Sequence, residues 1–167
     1  MVSIESNSGL IRTMITSKNP TINEFNRVIS AIRPLGSTFK IIPYTAALQE
    51  GIKLSDKFED LPKCWKDYCP KNFSEIYLGK ISLIDSFKTS SNIVPLKISS
   101  NIGLKKIINL ANLFGLGYEQ QFEEFLPLAI GSYGDSLLNI TNAYAALNSN
   151  GNLYKPCLLY TSDAADE

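Results

Sequence analysis

The sequence predicts an α+β fold: a β hairpin at the start, then a mainly helical body. Three observations predict it. Two short β-prone stretches, Val2–Glu5 and Leu10–Thr16, flank the turn-forming Ser6-Asn7-Ser8-Gly9. From Ser37 onward, apolar segments of helical length recur between Gly, Pro, Ser and Asn breaks. The chain has 167 residues and is 44 % apolar, enough to bury one ordinary core.

Each element has its own signal. After the hairpin, Ser17–Asn26 is polar and contains Pro20, and Arg33-Pro34-Leu35-Gly36 breaks the chain. Ser37–Glu50 reads as a helix. Its apolar residues Phe39, Ile41, Ile42, Ala46 and Leu48 are too continuous for one stripe, so burial on most sides is expected. Gly51 fits the position just past its end, and Pro43 predicts a bend inside it. Ser55–Tyr77 reads as loop, with Pro62, Pro70 and mixed charge. Ile81–Thr89 reads as a short helix with Ser82 as N-cap and Asp85 three positions on. Ile93–Ser100 follows, with Pro95 tolerated in its first turn. Gly103–Phe114 and Ser136–Leu147 complete the helices.

Composition excludes several classes of function. Sixteen basic and sixteen acidic residues give zero formal net charge, which removes the electrostatic case for nucleic acid. The chain has no His, so Ser-His-Asp and Cys-His catalysis, His metal sites and His pH switching are out. No apolar run approaches the roughly 18–20 residues of a membrane span. The first residues lack the basic and apolar regions of a signal peptide.

A nucleophile in a chain without His needs another base. Ser37 and Lys40 stand at i, i+3 at the start of a helix, on one face. The helix start favours developing negative charge, and a desolvated lysine can accept the serine proton. The Ser-x-x-Lys pattern alone decides nothing. With 18 Ser and 13 Lys, about 1.4 such pairs arise by chance. Taken alone, an N-cap serine and a solvated lysine explain it equally well.

Context changes that balance. Phe25-Asn26-Arg27-Val28 leads to Arg33-Pro34-Leu35-Gly36-Ser37-Thr38-Phe39-Lys40, then Tyr44 and Ala46-Ala47-Leu48-Gln49-Glu50-Gly51. This resembles the transpeptidase domain of class A penicillin-binding proteins, whose pattern runs F-N-R-A, R-x-P-G-S-x-F-K-P and Y-x-A-A-L-x-x-G. The second pattern of that family is Ser-x-Asn between two helices. Ser17–Asn19, Ser90–Asn92 and Ser99–Asn101 all match it. The family context, Gly79-Lys80-Ile81-Ser82-Leu83 before Ser90-Ser91-Asn92, selects Ser90 and Asn92. Glycine-punctuated stretches at Ala111–Gly117 and Leu126–Ser132, and Asn142–Leu147 with Asn150-Gly151, extend the likeness over Val2–Pro156. Ile41 departs from the family proline that follows the lysine. The third pattern, Lys-(Thr/Ser)-Gly, is missing: the only lysine after Lys106 is Lys155, followed by Pro156.

The resemblance implies a penicillin-binding protein/serine β-lactamase-like transpeptidase fold, truncated before its later strands. It implies D,D-transpeptidation with Ser37 as nucleophile, Lys40 as its base, Ser90 as proton relay, and Asn92 as a substrate-binding residue that also orients Lys40. No cofactor or metal is implied. The implied partners are peptidoglycan stem peptides and β-lactams, at the extracytoplasmic face of the bacterial plasma membrane. The full-length parent would carry a membrane anchor and a glycosyltransferase domain. A serine β-lactamase or a non-catalytic β-lactam sensor on the same fold is the alternative.

The final eleven residues, Cys157–Glu167, resemble the in-frame translation of a transposase-type sequencing adapter. The expected organisation is a partial transpeptidase domain at 1–156 and a non-native tail at 157–167. That leaves Cys64 and Cys69. Their spacing leaves a disulfide and two free thiols both open, and the implied compartment permits a disulfide. Two thiols without His cannot complete a zinc site. Trp65, Tyr68, Phe73 and Tyr77 either line a groove or pin a loop to the core.

Overall fold

A computed structural model of the chain describes residues 1–18, 25–73, 75–117 and 124–158. In chain order the first elements are β1 (Val2–Ile4), β2 (Ile11–Met14), β3 (Arg33–Pro34), a 3₁₀ helix (Gly36–Lys40), α1 (Ile41–Gln49), β4 (Lys57–Asp60) and β5 (Gly79–Ser82). Then come α2 (Leu83–Lys88), α3 (Ile93–Ile102), α4 (Leu104–Leu113), a second 3₁₀ helix (Leu126–Ile130), β6 (Gly134–Asp135) and α5 (Leu137–Asn148). The chain forms two compact units. One comprises Met1–Arg33, Asn112–Glu119 and Gly134–Glu167; the other comprises Pro34–Ala111 and Gln120–Tyr133.

In the first unit, β1 and β2 pair antiparallel, Val2 opposite Met14 and Ser3 opposite Thr13, with a bulge before Ile4. The Glu5 carbonyl accepts from the Ser8 and Gly9 amides and closes the turn. Gly9 has φ +75°, and a Cβ there would lie 2.6 Å from the Lys155 carbonyl oxygen. Only glycine lets that backbone pass. Cys157 continues the pairing: Ile11 N–H donates to its carbonyl at 2.8 Å, and its own N–H donates to Gly9 O at 3.1 Å. This pairing uses backbone alone. Residues 159–167 of the expected tail lie outside the described residues. Helix α5 packs against β1 and starts at the Ser136 cap, whose Oγ accepts from Asn139 N–H at 3.1 Å.

The second unit is built on α1, α3 and the β4–β5 hairpin. Tyr44 and Ala47 of α1, Leu83 of α2, and Val94 and Ile98 of α3 form one buried cluster, flanked by Ile52, Phe58 and Ile102. Tyr44 and Ala47 at i, i+3 on α1 and Val94 and Ile98 at i, i+4 on α3 each share a helix face, which carries this packing.

Several expectations change here. Ser37–Glu50 is not one helix: Gly36–Lys40 is 3₁₀, and α1 begins at Ile41. Pro43 therefore sits in the first turn of α1, where its missing N–H costs little. Leu48, expected inside, is 45 % exposed. The other end behaves as read: Gly51 N–H donates to Leu48 O and Ile52 N–H to Ala47 O, a Schellman closure with Gly51 at φ +84°. Finally, Ser55–Tyr77 is not all loop. Lys57–Asp60 pairs antiparallel with Gly79–Ser82, in register from Lys57 opposite Ser82 to Asp60 opposite Gly79. The same strand takes Ile81 out of the predicted α2. Ser82 keeps its role: its Oγ accepts from Asp85 N–H at 3.1 Å and also bonds the Asp85 carboxylate.

Candidate active site

The 3₁₀ geometry sets the first two candidate residues. With about three residues per turn, i and i+3 stack in line, so Ser37 and Lys40 share one edge of the helix. Ser37 is exposed at the edge of a cleft of about 710 Å³, while Lys40 is only 2 % exposed. Between them Phe39 is fully buried and anchors the helix. The turn before Ser37 is fixed by backbone. Gly36 N–H donates to Gly131 O at 2.8 Å, and Leu35 N–H donates to Tyr133 O at 2.9 Å.

Lys40 brings the two sequence patterns together. Its Nζ donates to Ser90 O at 2.7 Å, to Ser90 Oγ at 3.0 Å and to Asn92 Oδ1 at 2.6 Å. An ammonium has three protons, and these three acceptors use them all. All three acceptors are neutral. Burial without a counter-charge pushes the Lys40 amine down from its ordinary value to about 8. A neutral fraction therefore exists near physiological pH.

Ser90 reaches Lys40 from a strained backbone. Its φ is +55°, in the left-handed region that non-glycine residues rarely enter. It occupies the position past the end of α2 that glycine usually fills. Ser90 N–H donates to Phe87 O and Ser91 N–H to Ser86 O, again a Schellman closure. A side chain held at such a position is a signal of function. Asn92 is fixed on both sides. Its N–H donates to Asn72 Oδ1 at 2.8 Å, and its Nδ2 donates to Lys71 O at 2.6 Å.

The cleft is lined by Ser37, Ser90 and Asn92 together with Asp60, Lys71, Asn72 and Phe73. Three of the four predicted residues are joined by direct hydrogen bonds, and Ser37 faces the same cleft. The rejected Ser-x-Asn matches lie elsewhere or outside description. Ser99 is buried inside α3 and Asn101 is exposed; Asn19 lies outside the described residues. Sequence reading missed Asp60 and Asn72, both buried beside Asn92. Their one signal was their position in the stretch before the second pattern.

Cys64 and Cys69 form a disulfide, with Cα atoms 4.2 Å apart. It closes a small hairpin in which Trp65 and Tyr68 exchange backbone hydrogen bonds at 2.8 and 3.0 Å. Lys63 Nζ stands 5.0 Å from the centre of the Trp65 ring. Phe73 pins nothing: it is fully exposed and lines the cleft.

The family model of the penicillin-binding protein transpeptidase domain matches residues 1–166. The chain belongs to this family. Penicillin-binding protein 1B of Buchnera aphidicola is 34 % identical over 162 residues, covering 91 % of this chain and 21 % of that protein. Penicillin-binding protein 1A of Rickettsia prowazekii is 29 % identical over 155 residues, covering 89 % and 19 %. The chain thus spans about a fifth of the curated relatives it matches. The crystal structure of penicillin-binding protein 1A from Haemophilus influenzae superposes with a TM-score of 0.85 at 27 % identity, over 93 % of this chain and 24 % of that one. The structure of PonA1 from Mycobacterium tuberculosis shares the fold, with a TM-score of 0.85 at 20 % identity over 99 % of this chain and 49 % of that one. The fold is that of penicillin-binding transpeptidase domains. Among the described residues, no helix is long and apolar enough to cross a membrane.

Proposed function

We propose that this chain carries the acylation half of a serine D,D-transpeptidase that crosslinks peptidoglycan. The observation that supports this best is the buried Lys40 amine, bonded to Ser90 and Asn92, which line the same cleft as Ser37. Family membership supplies the substrate class: stem peptides ending in D-Ala-D-Ala, with β-lactams as their mimics.

The chemistry follows from the groups present. Neutral Lys40 takes the Ser37 hydroxyl proton, directly or along Ser90 Oγ, as the serine oxygen attacks the penultimate D-Ala carbonyl carbon. The Ser37 N–H, at the start of its helix, faces the developing oxyanion. Collapse breaks the peptide bond, and the terminal D-Ala amine leaves with a proton relayed through Ser90. Asn92 holds the donor peptide and keeps Lys40 aimed. The amine of a second stem peptide then attacks the acyl ester, forms the crosslink and restores the Ser37 hydroxyl. These 167 residues contain no Lys-(Thr/Ser)-Gly pattern, the element that supplies the second oxyanion donor in the family, and on this reading they do not transpeptidate alone. Its parent is a bifunctional enzyme held at the extracytoplasmic face of the plasma membrane, with a glycosyltransferase domain.

The test is labelling of the complete domain by a fluorescent penicillin. A covalent adduct on the wild type that Ser37→Ala abolishes is the expected result. A labelled Ser37→Ala protein, or rapid hydrolysis of the adduct as in a β-lactamase, overturns the reading.

A further inference from the structure

Asp60 ends β4 and is 1 % exposed, one of the most deeply buried polar groups in its unit. Its carboxylate accepts from Ser91 Oγ at 2.7 Å, from Asn72 Nδ2 at 3.0 and 3.2 Å, and from the Leu78 amide at 3.1 Å. Every one of these donors is neutral. Burying a carboxylate with no cation is costly, and hairpin pairing does not require it. A charged acceptor does one thing a neutral one cannot: it holds its donors with hydrogen bonds about twice as strong.

Those donors are the ones that place the cleft. Ser91 is the middle residue of Ser90-Ser91-Asn92. Its Oγ also accepts from Ile93 N–H at 3.1 Å and Val94 N–H at 3.2 Å, capping α3 directly after the turn. Asn72 turns its other end to the site: its Oδ1 accepts from Asn92 N–H at 2.8 Å. Its Nδ2 also donates to Ile76 O at 2.9 Å, which closes the turn directly after Lys71. Two separate arms therefore run from one carboxylate to the backbone of one turn. That turn is strained at Ser90 and supplies all three acceptors of Lys40. Should the turn relax, Lys40 loses every partner at once.

We propose that Asp60 is a positioning residue of the acyl-transfer site, holding the Ser90–Asn92 turn against Lys40 through Ser91 and Asn72. The inference rests on the acyl-transfer reading above. Asp60 touches neither Ser37 nor Lys40; it acts through two intermediaries and one turn.

The experiment uses Asp60→Asn in the complete domain, which keeps shape and removes the charge. Binding and acylation constants for a fluorescent penicillin are separated by stopped flow between pH 6 and 10. The acylation constant at pH 7 should fall about 10- to 100-fold, the scale of a small misplacement of reacting groups, and binding should weaken by less, because Asn92 also holds the donor. A loosened turn lets water reach the Lys40 amine, so the pH midpoint of acylation should move up. The other ionisable groups lining the cleft are Lys71 and Asp60 itself. Loss of the carboxylate charge without loosening moves the midpoint down, so the sign separates positioning from field. Asn72→Ala cuts one arm only and should shift both quantities the same way by less. A folded Asp60→Asn protein with unchanged acylation constant, or an unchanged or lowered midpoint, overturns the proposal. If Asp60→Asn does not fold, unchanged acylation in Asn72→Ala overturns it. A wild type that forms no Ser37-dependent adduct overturns the acyl-transfer reading first, and this inference with it.

Discussion

Lys40 meets Ser90 twice: its amine donates to the Ser90 carbonyl at 2.7 Å and to the Ser90 hydroxyl at 3.0 Å. The residue that accepts both bonds is held at φ +55°. Glycine would relieve that strain and keep the carbonyl, yet it would delete the hydroxyl. Ser90→Gly and Ser90→Ala should therefore separate stability from function. Both lose the hydroxyl and should lose acylation equally. Left-handed backbone costs an L-residue about 1–2 kcal/mol that glycine escapes, offset in part by the entropy of an unfolded glycine. Urea unfolding should find Ser90→Gly about 1 kcal/mol more stable than Ser90→Ala. Equal stabilities would mean that the turn is not strained.

The Lys40 amine sets a second prediction. Burial lowers it to about 8, and the neutral amine is the base. As pH rises toward 8 the neutral fraction rises about tenfold per unit, then levels off. The acylation constant of the complete domain should follow that curve. Asn92→Asp puts a carboxylate where Asn92 Oδ1 now sits, 2.6 Å from Nζ. A negative neighbour favours the ammonium, so the amine's pKa rises. The acid limb should move to higher pH, with about a tenfold loss at pH 7 for each unit of movement. A limb that stays in place would show that Lys40 is not the titrating base.

What the sequence disclosed here, and what it hid, has physical causes. Ser82 and Gly51 were readable because capping is local: one side chain or one positive φ closes a helix end within three or four residues. The β4–β5 hairpin was not. Lys57-Phe58-Glu59-Asp60 and Gly79-Lys80-Ile81-Ser82 each offer little apolar signal, and 18 residues separate their adjoining ends, so pairing depends on tertiary packing. Ser37 and Lys40 were singled out by family context, since Ser-x-x-Lys arises by chance at this composition. Asp60 and Asn72 gave no signal beyond their place before the second pattern: in a stretch read as loop, a buried acceptor looks the same as a solvated one.

The Cys64–Cys69 disulfide closes a short loop, its ends five positions apart in the chain. Loop-closure entropy for such a span is worth about 2 kcal/mol. Replacing both cysteines by serine should lower unfolding stability of the complete domain by no more than that. Asn72 and Lys71, just downstream, are held to Asn92 and Asp60 by their own hydrogen bonds. Penicillin acylation should therefore change less than about twofold, within the range of a surface change remote from a site. A larger loss would show that the disulfide, and not that network, fixes the Lys71–Asn72 loop.

Gly131 makes the sharpest backbone prediction. A Cβ on it would fall 2.0 Å from the Gly36 carbonyl oxygen and 2.6 Å from both the carbonyl carbon and nitrogen of Gly36. Its φ of +79° disfavours any other residue independently of space. The neighbour is rigid backbone and cannot swing aside as a side chain could. Gly36 must then move, and Ser37 is the next residue. Gly131→Ala should lose more stability than strain alone, above about 2 kcal/mol, and should also slow Ser37 acylation. Gly51→Ala is the control. It carries a similar φ of +84° with open space around it. It should cost about 1–2 kcal/mol of stability and leave acylation within about twofold. If both variants slow acylation alike, the loss reflects general destabilisation. If only Gly131→Ala does, the contact between two glycine backbones is what holds the nucleophile's turn.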